Sequence, residues 1–394
     1  MKNSAFRLLI VMVLTLGLSP WVVASVLTQV PFTLHENHIF VDIQVNESEP
    51  LRFIFDTGAA STVINEEEAD RLDIPHDGFS TVRSKRGPKF VYYSNYNTLT
   101  LGQVSLPRVK LVHLPLEHLH RALDTPVQGI IGQDILKKYI IEINYDQSAI
   151  IFHDPQVFIP PAEYHQQGFD LIGGRPYVDG SFRLNNGETL SGKFQLDNGS
   201  GAFVTLYSPF VDEHHLTRKI GKTKQIYTMS FSGMVDRNYA GRLQEFAFGW
   251  FSLSDIPIRL NQSRYYKRAF KHGIGHIGNA LLKRFNIVLD YQHKKSYWQP
   301  NQSFANEFTL AYSGLVVKAD DHQEKVVIRH VFEDSPAAMA GFTPDDEIVQ
   351  INEISASGRS SHEVQTLLNC QTPLEVTIRR KNQVKKLNLY PLAL

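Results

Sequence analysis

The 394-residue sequence contains a single cysteine, Cys370. That excludes a disulfide framework, a cysteine-based zinc ribbon and a Cys-x-x-Cys redox pair. Net charge is also missing: 40 Lys+Arg stand against 40 Asp+Glu. This balance argues against a nucleic-acid partner and against a disordered chain. No Gly-x-Gly-x-x-Gly or P-loop sequence occurs, and Gly173-Gly174 carries no nucleotide fingerprint. Metal-binding spacing is absent despite 16 histidines. In His113-Leu-Pro-Leu-Glu-His118 the first His and the Glu are too far apart for the inverted zinc motif, and Pro115 opposes the helix it needs. Asp212-Glu-His-His215 and His272-Gly-Ile-Gly-His276 lack a helical i,i+4 pair with Glu. These histidines are expected on the surface or in loops, and neither metal nor cofactor is implied.

Long apolar runs are lacking as well, except near the start. Lys2 and Arg7 precede the apolar run Leu8 to Leu18, Ser19-Pro20 breaks it, and Val22-Val23-Ala24 offers small residues for cleavage. A membrane-spanning helix needs ~20 apolar residues, more than this run supplies. Residues 1–24 therefore read as an export signal, with an uncleaved anchor as the weaker alternative. No cysteine follows for lipid attachment. A secreted chain without disulfides suits a bacterial periplasm.

Beyond the signal, charge is uneven. Residues 25–154 carry a net −6, residues 155–304 a net +7 and residues 305–394 a net −3. Together with the Pro-containing breaks at Pro155, Pro160-Pro161 and Pro300, this sets expected boundaries at 25–155, 156–304 and 310–394. Apolar segments are short and interrupted by Gly, Pro, Asn or Asp. Leu51–Phe55, Ile140–Ile143, Ala149–Phe152, Phe203–Leu206 and Asn286–Leu289 read as strands. Helical windows are few: Glu66–Leu72, Gln133–Lys138, Asn279–Phe285, Pro336–Ala340 and Ser361–Leu368. The chain is expected to be mainly β.

The most informative feature is a repeat. Arg52-Phe-Ile-Phe-Asp-Thr-Gly-Ala-Ala-Ser-Thr-Val-Ile-Asn65 is echoed by Lys193-Phe-Gln-Leu-Asp-Asn-Gly-Ser-Gly-Ala-Phe-Val-Thr-Leu206. Gly129-Ile-Ile-Gly-Gln-Asp-Ile-Leu136 is echoed by Gly275-His-Ile-Gly-Asn-Ala-Leu-Leu282, and each continues into a strand ending in Asp, at Asp146 and Asp290. Asp56 lies 76 residues before Gly132, and Asp197 lies 81 before Gly278. Two motifs in the same order at nearly the same distance imply two similar β lobes.

An apolar strand running into Asp-x-Gly puts a carboxylate on a tight turn that the glycine permits. Alone it signals only a turn. Two such carboxylates face to face can share one proton, because like charges ~3 Å apart cannot both ionise. The charged member can take a proton from water while the neutral one donates to a carbonyl.

Phe55-Asp-Thr-Gly-Ala59, Ile130-Ile-Gly132 and His276-Ile-Gly278 resemble the active-site turn and paired Gly segments of retropepsin-like aspartic proteases. Over residues 28–394 the chain resembles bacterial single-chain aspartyl proteases with a C-terminal PDZ domain. That likeness implies two pseudo-symmetric β-barrel lobes followed by a small α+β PDZ domain. Asp56 and Asp197 would be the catalytic dyad, with Thr57, Gly58, Asn198, Gly199 and Ser200 supporting the turns and flap tips at Arg86-Gly87 and Ser232-Gly233. Two lobes in one chain would make a monomer sufficient. The family normally has Thr at the position of Asn198. Asn can donate and accept, so it can take that role with altered geometry or mark a lobe without chemistry. A peptide-binding or adaptor protein on the same fold therefore stays open beside the enzyme. Ser200 has no counterpart hydroxyl at Ala59; if it donates to Asp197, that carboxylate is the ionised member.

A serine enzyme would use Gly199-Ser200-Gly201, but this leaves the first-lobe copy and the Gly segments unexplained. The basic, aromatic run Arg264–His272 reads as a solvated face capable of at most weak contact with an anionic membrane surface. Residues 310–394 resemble a PDZ domain. Ser313, Gly314, Leu315 and Val316 would form its carboxylate-binding loop and first strand, with Ser361–Leu368 as the groove helix. Such a groove takes C-terminal peptides as an added strand, making polypeptide substrates the expected partners.

Overall fold

The computed structural model describes residues 25–84, 87–229, 235–263, 273–319 and 324–393. The export signal at 1–24, the basic run Arg264–His272 and the flap tips Arg86 and Ser232-Gly233 lie outside the described residues. Among the described residues no helix is long and apolar enough to cross a membrane.

Among the described residues short β-branched and aromatic segments build three large sheets, and Ala311–Tyr312 pairs with Leu392–Ala393 in a small fourth. The first lobe grows from Val26–His35, whose first half pairs with Ala149–His153 and second half with His38–Val45. Its sheet continues through Leu51–Phe55, Gly129–Ile131, Val63–Asn65, Val104–Leu114, Gly87–Leu101 and Gly78–Ser84. The second lobe repeats the plan with Arg175–Arg183, Thr189–Asp197, Gly275–Gly278, Val204–Leu206, Phe251–Asn261, Val235–Phe248 and Lys224–Met229. In each lobe the strand before the Asp turn pairs in parallel with the later Gly segment: Ile54 with Ile130, and Gln195 with His276. The repeat in the sequence is thus a repeat of strand pairing.

The lobes are joined by one ladder. Phe285–Asp290 of the second pairs antiparallel with Ile140–Asn144 of the first, and Lys295–Pro300 and His165–Gly168 extend it. Phe285–Asp290 is buried along its whole length and Ile140–Asn144 everywhere but Glu142, which accounts for their largely apolar sequences. An aromatic cluster anchors the seam: Phe285 lies 5.5 Å from Trp298 and 4.7 Å from Phe251, and Phe248 lies 5.3 Å from Trp298. Each such fully buried ring contributes about 1.5–3 kcal/mol of hydrophobic stabilisation.

Among the described residues three helices lie outside the expected windows: Glu117–Leu123, Ser208–Glu213 and Leu216–Lys219. Their one- and two-turn lengths carry too little periodicity to read. The histidine expectation also fails in part. His113, on the strand Val104–Leu114, is buried with Nε2 2.9 Å from Ser94 Oγ, and His276 is buried on Gly275–Gly278.

A C-terminal sheet follows in the order Leu315–Ala319, Val326–Val331, Glu347–Ile351, Leu374–Arg380, Gln383–Leu389. Leu374, Val376 and Ile378 are buried in its core, as their alternation predicts. The segment leading to it is pinned, because Arg284 donates to the carbonyls of Ser303, Phe304, Asn306 and Glu307 and stacks over Phe308 at 3.9 Å.

Candidate active site

Asp56 and Asp197 each end an apolar strand, and the two turns meet between the lobes. A side chain at Gly58 would strike the Asp197 carboxylate, with Asp197 Cγ at 2.7 Å and Gln195 Nε2 at 2.9 Å. A side chain at Gly199 would strike the Asp56 carboxylate. Glycine is therefore required in both turns by close approach, not by backbone angle.

Below the carboxylates the turns grip each other. Thr57 N–H donates to Asn198 Oδ1 at 2.7 Å, Asn198 N–H donates to Thr57 Oγ1 at 3.1 Å, and Thr57 Oγ1 donates to Leu196 O at 3.0 Å. Thr57 is 1% and Asn198 0% exposed, so these bonds are shielded from water. The Asn198 amide oxygen takes the acceptor role, and its Nδ2 is left buried without a partner.

Further cross-lobe contacts follow the same two-fold plan. Arg175 Nε donates to Gly58 O at 2.6 Å, and His38, at the equivalent place in the first lobe, hydrogen-bonds the backbone of Gly199. Asn37 Nδ2 donates to Gly201 O at 3.2 Å. Gln133 Nε2 donates to Thr57 O at 2.6 Å and contacts Tyr291 OH at 3.1 Å; on the other side Tyr145 OH donates to Asn279 Oδ1. Sequence reading missed Arg175, His38, Gln133 and the two tyrosines. One signal was present: Tyr145 and Tyr291 each follow their motif glycine by 13 residues, whereas Asp146 and Asp290 follow by 14 and 12. The tyrosines, not the strand-end aspartates, are the equivalent positions.

Burial pushes both carboxyls above the usual range, and the charge on Asp56 raises Asp197 further. The Arg175 guanidinium opposes the rise at each. Gly58 N–H donates to Asp56 Oδ1 at 2.6 Å, and backbone N–H groups of Ala59 and Gly199 also favour its charged form. The backbone N–H groups of Gly199 and Ser200 favour the charged form of Asp197 in the same way. The Ser200 hydroxyl, expected to donate to Asp197, lies 2.9 Å from His276 Nε2 instead. Burial pushes His276 down to about 3 and Arg259 adds to the effect. Among the described residues no carboxylate orients His276 as serine catalysis would need.

Residues 41–135 match the family model described as aspartyl protease, and residues 313–390 match the PDZ domain. The chain carries an aspartyl protease domain and a C-terminal PDZ domain. No curated protein matches it. The family match covers the Asp56 turn and the first Gly segment; the second lobe lies outside it and repeats its strand pairing.

In the PDZ domain the edge strand Leu315–Ala319 borders the groove helix Ser361–Leu368. Gln365 accepts from Val317 N–H at 3.2 Å and donates to Leu315 O at 3.0 Å, while Ser361 Oγ accepts from Ala319 N–H at 2.7 Å. Ser313 is fully buried, its hydroxyl donating to Asn369 Oδ1 at 2.7 Å and accepting from Leu315 N–H at 3.3 Å. Gly314, at φ +80°, packs on Ser335. Leu315 O and the N–H groups of Leu315, Val317 and Ala319 thus bond within the domain. The helix also docks on the first lobe, with Ser360 Oγ donating to Asp124 Oδ2 at 2.6 Å and His362 Nε2 3.0 Å from Glu36 Oε1.

Proposed function

We propose that the protease is an exported, monomeric aspartic endopeptidase using Asp56 and Asp197 as one proton-transfer unit, with the PDZ domain recruiting polypeptide substrates. The observation that carries this reading is the interlocked pair of turns, each carboxylate lying where the other lobe's glycine leaves room. With Asp56 ionised and Asp197 protonated, Asp56 takes a proton from a water positioned between them. The water oxygen bonds to the peptide carbonyl carbon as Asp197 gives its proton to the carbonyl oxygen. Collapse of the tetrahedral diol breaks the C–N bond, and the proton held by Asp56 passes to the departing nitrogen. Asp197 regains its proton from the diol hydroxyl. Arg175 and the backbone donors keep one carboxyl charged in an otherwise desolvated site. Export accords with the N-terminal pattern of residues 1–24.

The test is cleavage of an unfolded protein by the purified chain, with and without pepstatin, beside Asp56→Ala. Pepstatin-sensitive cleavage lost in Asp56→Ala is expected. Equal cleavage by both proteins eliminates the mechanism.

A further inference from the structure

The two lobes differ systematically on the faces that carry the aspartates. Residues two apart on a strand share a face, so Ile54 lies on the face of Asp56 and Gln195 on the face of Asp197. Directly paired residues continue each row across the sheet. In the first lobe the row is Phe40, Ile54, Ile130, Val63, Val112. In the second it is Tyr177, Gln195, His276, Thr205, Arg259. All five positions change from apolar to polar. The residue after the turn glycine changes likewise, from Ala59 to Ser200.

The first row belongs to a continuous apolar cluster with Leu116, Leu123 and Val127, against which Ala59 packs. The second is a hydrogen-bonding surface. Tyr177 OH donates to Gln195 Oε1 at 3.2 Å, leaving Gln195 Nε2 toward Gly58 and the dyad. Ser200 Oγ meets His276 Nε2. Thr205, only 2% exposed, has its hydroxyl buried without a partner. A core built only for packing would not gather such groups, because an unpaired buried polar atom costs about 1–3 kcal/mol. Arg175 adds a cation at the same end of the cleft.

We propose that the cleft is asymmetric in specificity. It takes an apolar side chain against the first-lobe row on one side of the scissile bond. On the other side, against the second-lobe row, it takes a side chain with a carboxylate or amide oxygen: Asp, Glu, Asn or Gln. Gln195 Nε2 is turned toward Gly58 and the Thr205 hydroxyl lacks a partner, so an oxygen acceptor completes the row and a methyl group does not. The assignment rests on reading the cleft as a peptide-binding site but not on its being catalytic.

The test measures binding of peptides whose central bond is reduced and cannot be cut, with Leu-Leu, Leu-Gln, Leu-Glu, Gln-Leu or Glu-Leu at that bond. One orientation of the mixed pairs should bind about tenfold tighter than Leu-Leu, one good hydrogen bond's worth of affinity. Ser200→Ala combined with His276→Ile gives the second lobe the first-lobe residues at one row position and after the turn glycine, and should erase most of that preference. Leu-Leu binding as tightly as any mixed pair overturns the proposal from the wild-type protein alone. A folded double variant that keeps the full preference overturns the assignment to this row. Selective binding without cleavage of the natural bond sinks the catalytic reading and leaves this one standing; binding of none of the peptides sinks both.

Discussion

Asn198→Ala tests whether the cross-lobe grip is a mechanical requirement of the dyad. The substitution removes the acceptor held by Thr57 N–H at 2.7 Å, in a place where water cannot replace it. An orphaned buried donor costs about 1–3 kcal/mol, and the void left by the amide adds about 1 kcal/mol. Against this, Asn198 Nδ2 is already unpartnered, so deleting it returns about 1 kcal/mol. The net expectation is a loss of about 2 kcal/mol. Asn198→Thr keeps an oxygen on the side chain and removes the orphan, but holds that oxygen one atom closer to its own backbone, so it should fall between wild type and Asn198→Ala. The assay is urea unfolding of the full chain followed by tryptophan fluorescence, with peptide cleavage measured alongside. Both variants should lose activity in the order of their stability. If Asn198→Ala unfolds within 0.5 kcal/mol of wild type, a bound well below the usual cost of an orphaned donor, the bond does not hold the turns and the reasoning fails.

Asp56→Asn and Asp197→Asn should each abolish cleavage, with no further loss on combining them, as single-turnover assays can establish. Because burial raises Asp197 in the folded state, its ionisation costs stability as pH rises above the unfolded carboxylate range; Asp197→Asn should therefore be the more stable protein at pH 7 in thermal unfolding. The same rise places the alkaline limb of the pH–rate profile above the ordinary carboxylate range, a property of the pair. His276 shifts the other way: the folded state holds it neutral, so stability falls as pH drops below the ordinary histidine value, by about 2 kcal/mol at pH 5. His276→Ile should flatten that slope in pH-dependent denaturation. Gln365→Ala frees Leu315 O and Val317 N–H from the groove helix and should tighten C-terminal peptide binding in calorimetry; weaker binding would show that Gln365 helps the ligand instead.

Much of the fold was legible because period and punctuation act locally. Leu51–Phe55 is a strand, and Ser361–Leu368 is a helix opened by Ser360 with Glu363 three residues on, a reciprocal cap the structure contains. The turns were legible because they occur twice. Contacts with no local signature were not. Arg175 stands in an ordinary Gly-Gly-Arg-Pro hairpin, yet strand pairing carries it onto Gly58. Ser200 looked free to serve Asp197 until the strand Gly275–Gly278 brought His276 against it.

The sequence by itself determined which residues turn and where the chain repeats, since glycine tolerance and alternating hydrophobicity are properties of neighbouring residues. It therefore determined that two Asp-x-Gly turns exist and that a PDZ-like module follows. Only the tertiary structure decided what the Ser200 hydroxyl meets, which atom of Asn198 takes the place of the missing threonine hydroxyl, and that Gln365 and Ser361 of the groove helix bond the PDZ edge strand. Those outcomes depend on desolvation and on hydrogen bonds between residues more than 100 positions apart, such as Thr57 with Asn198, or between elements that meet only once packed. A polar side chain's partner is chosen by whatever the fold delivers within about 3 Å of it, and no local pattern encodes that delivery.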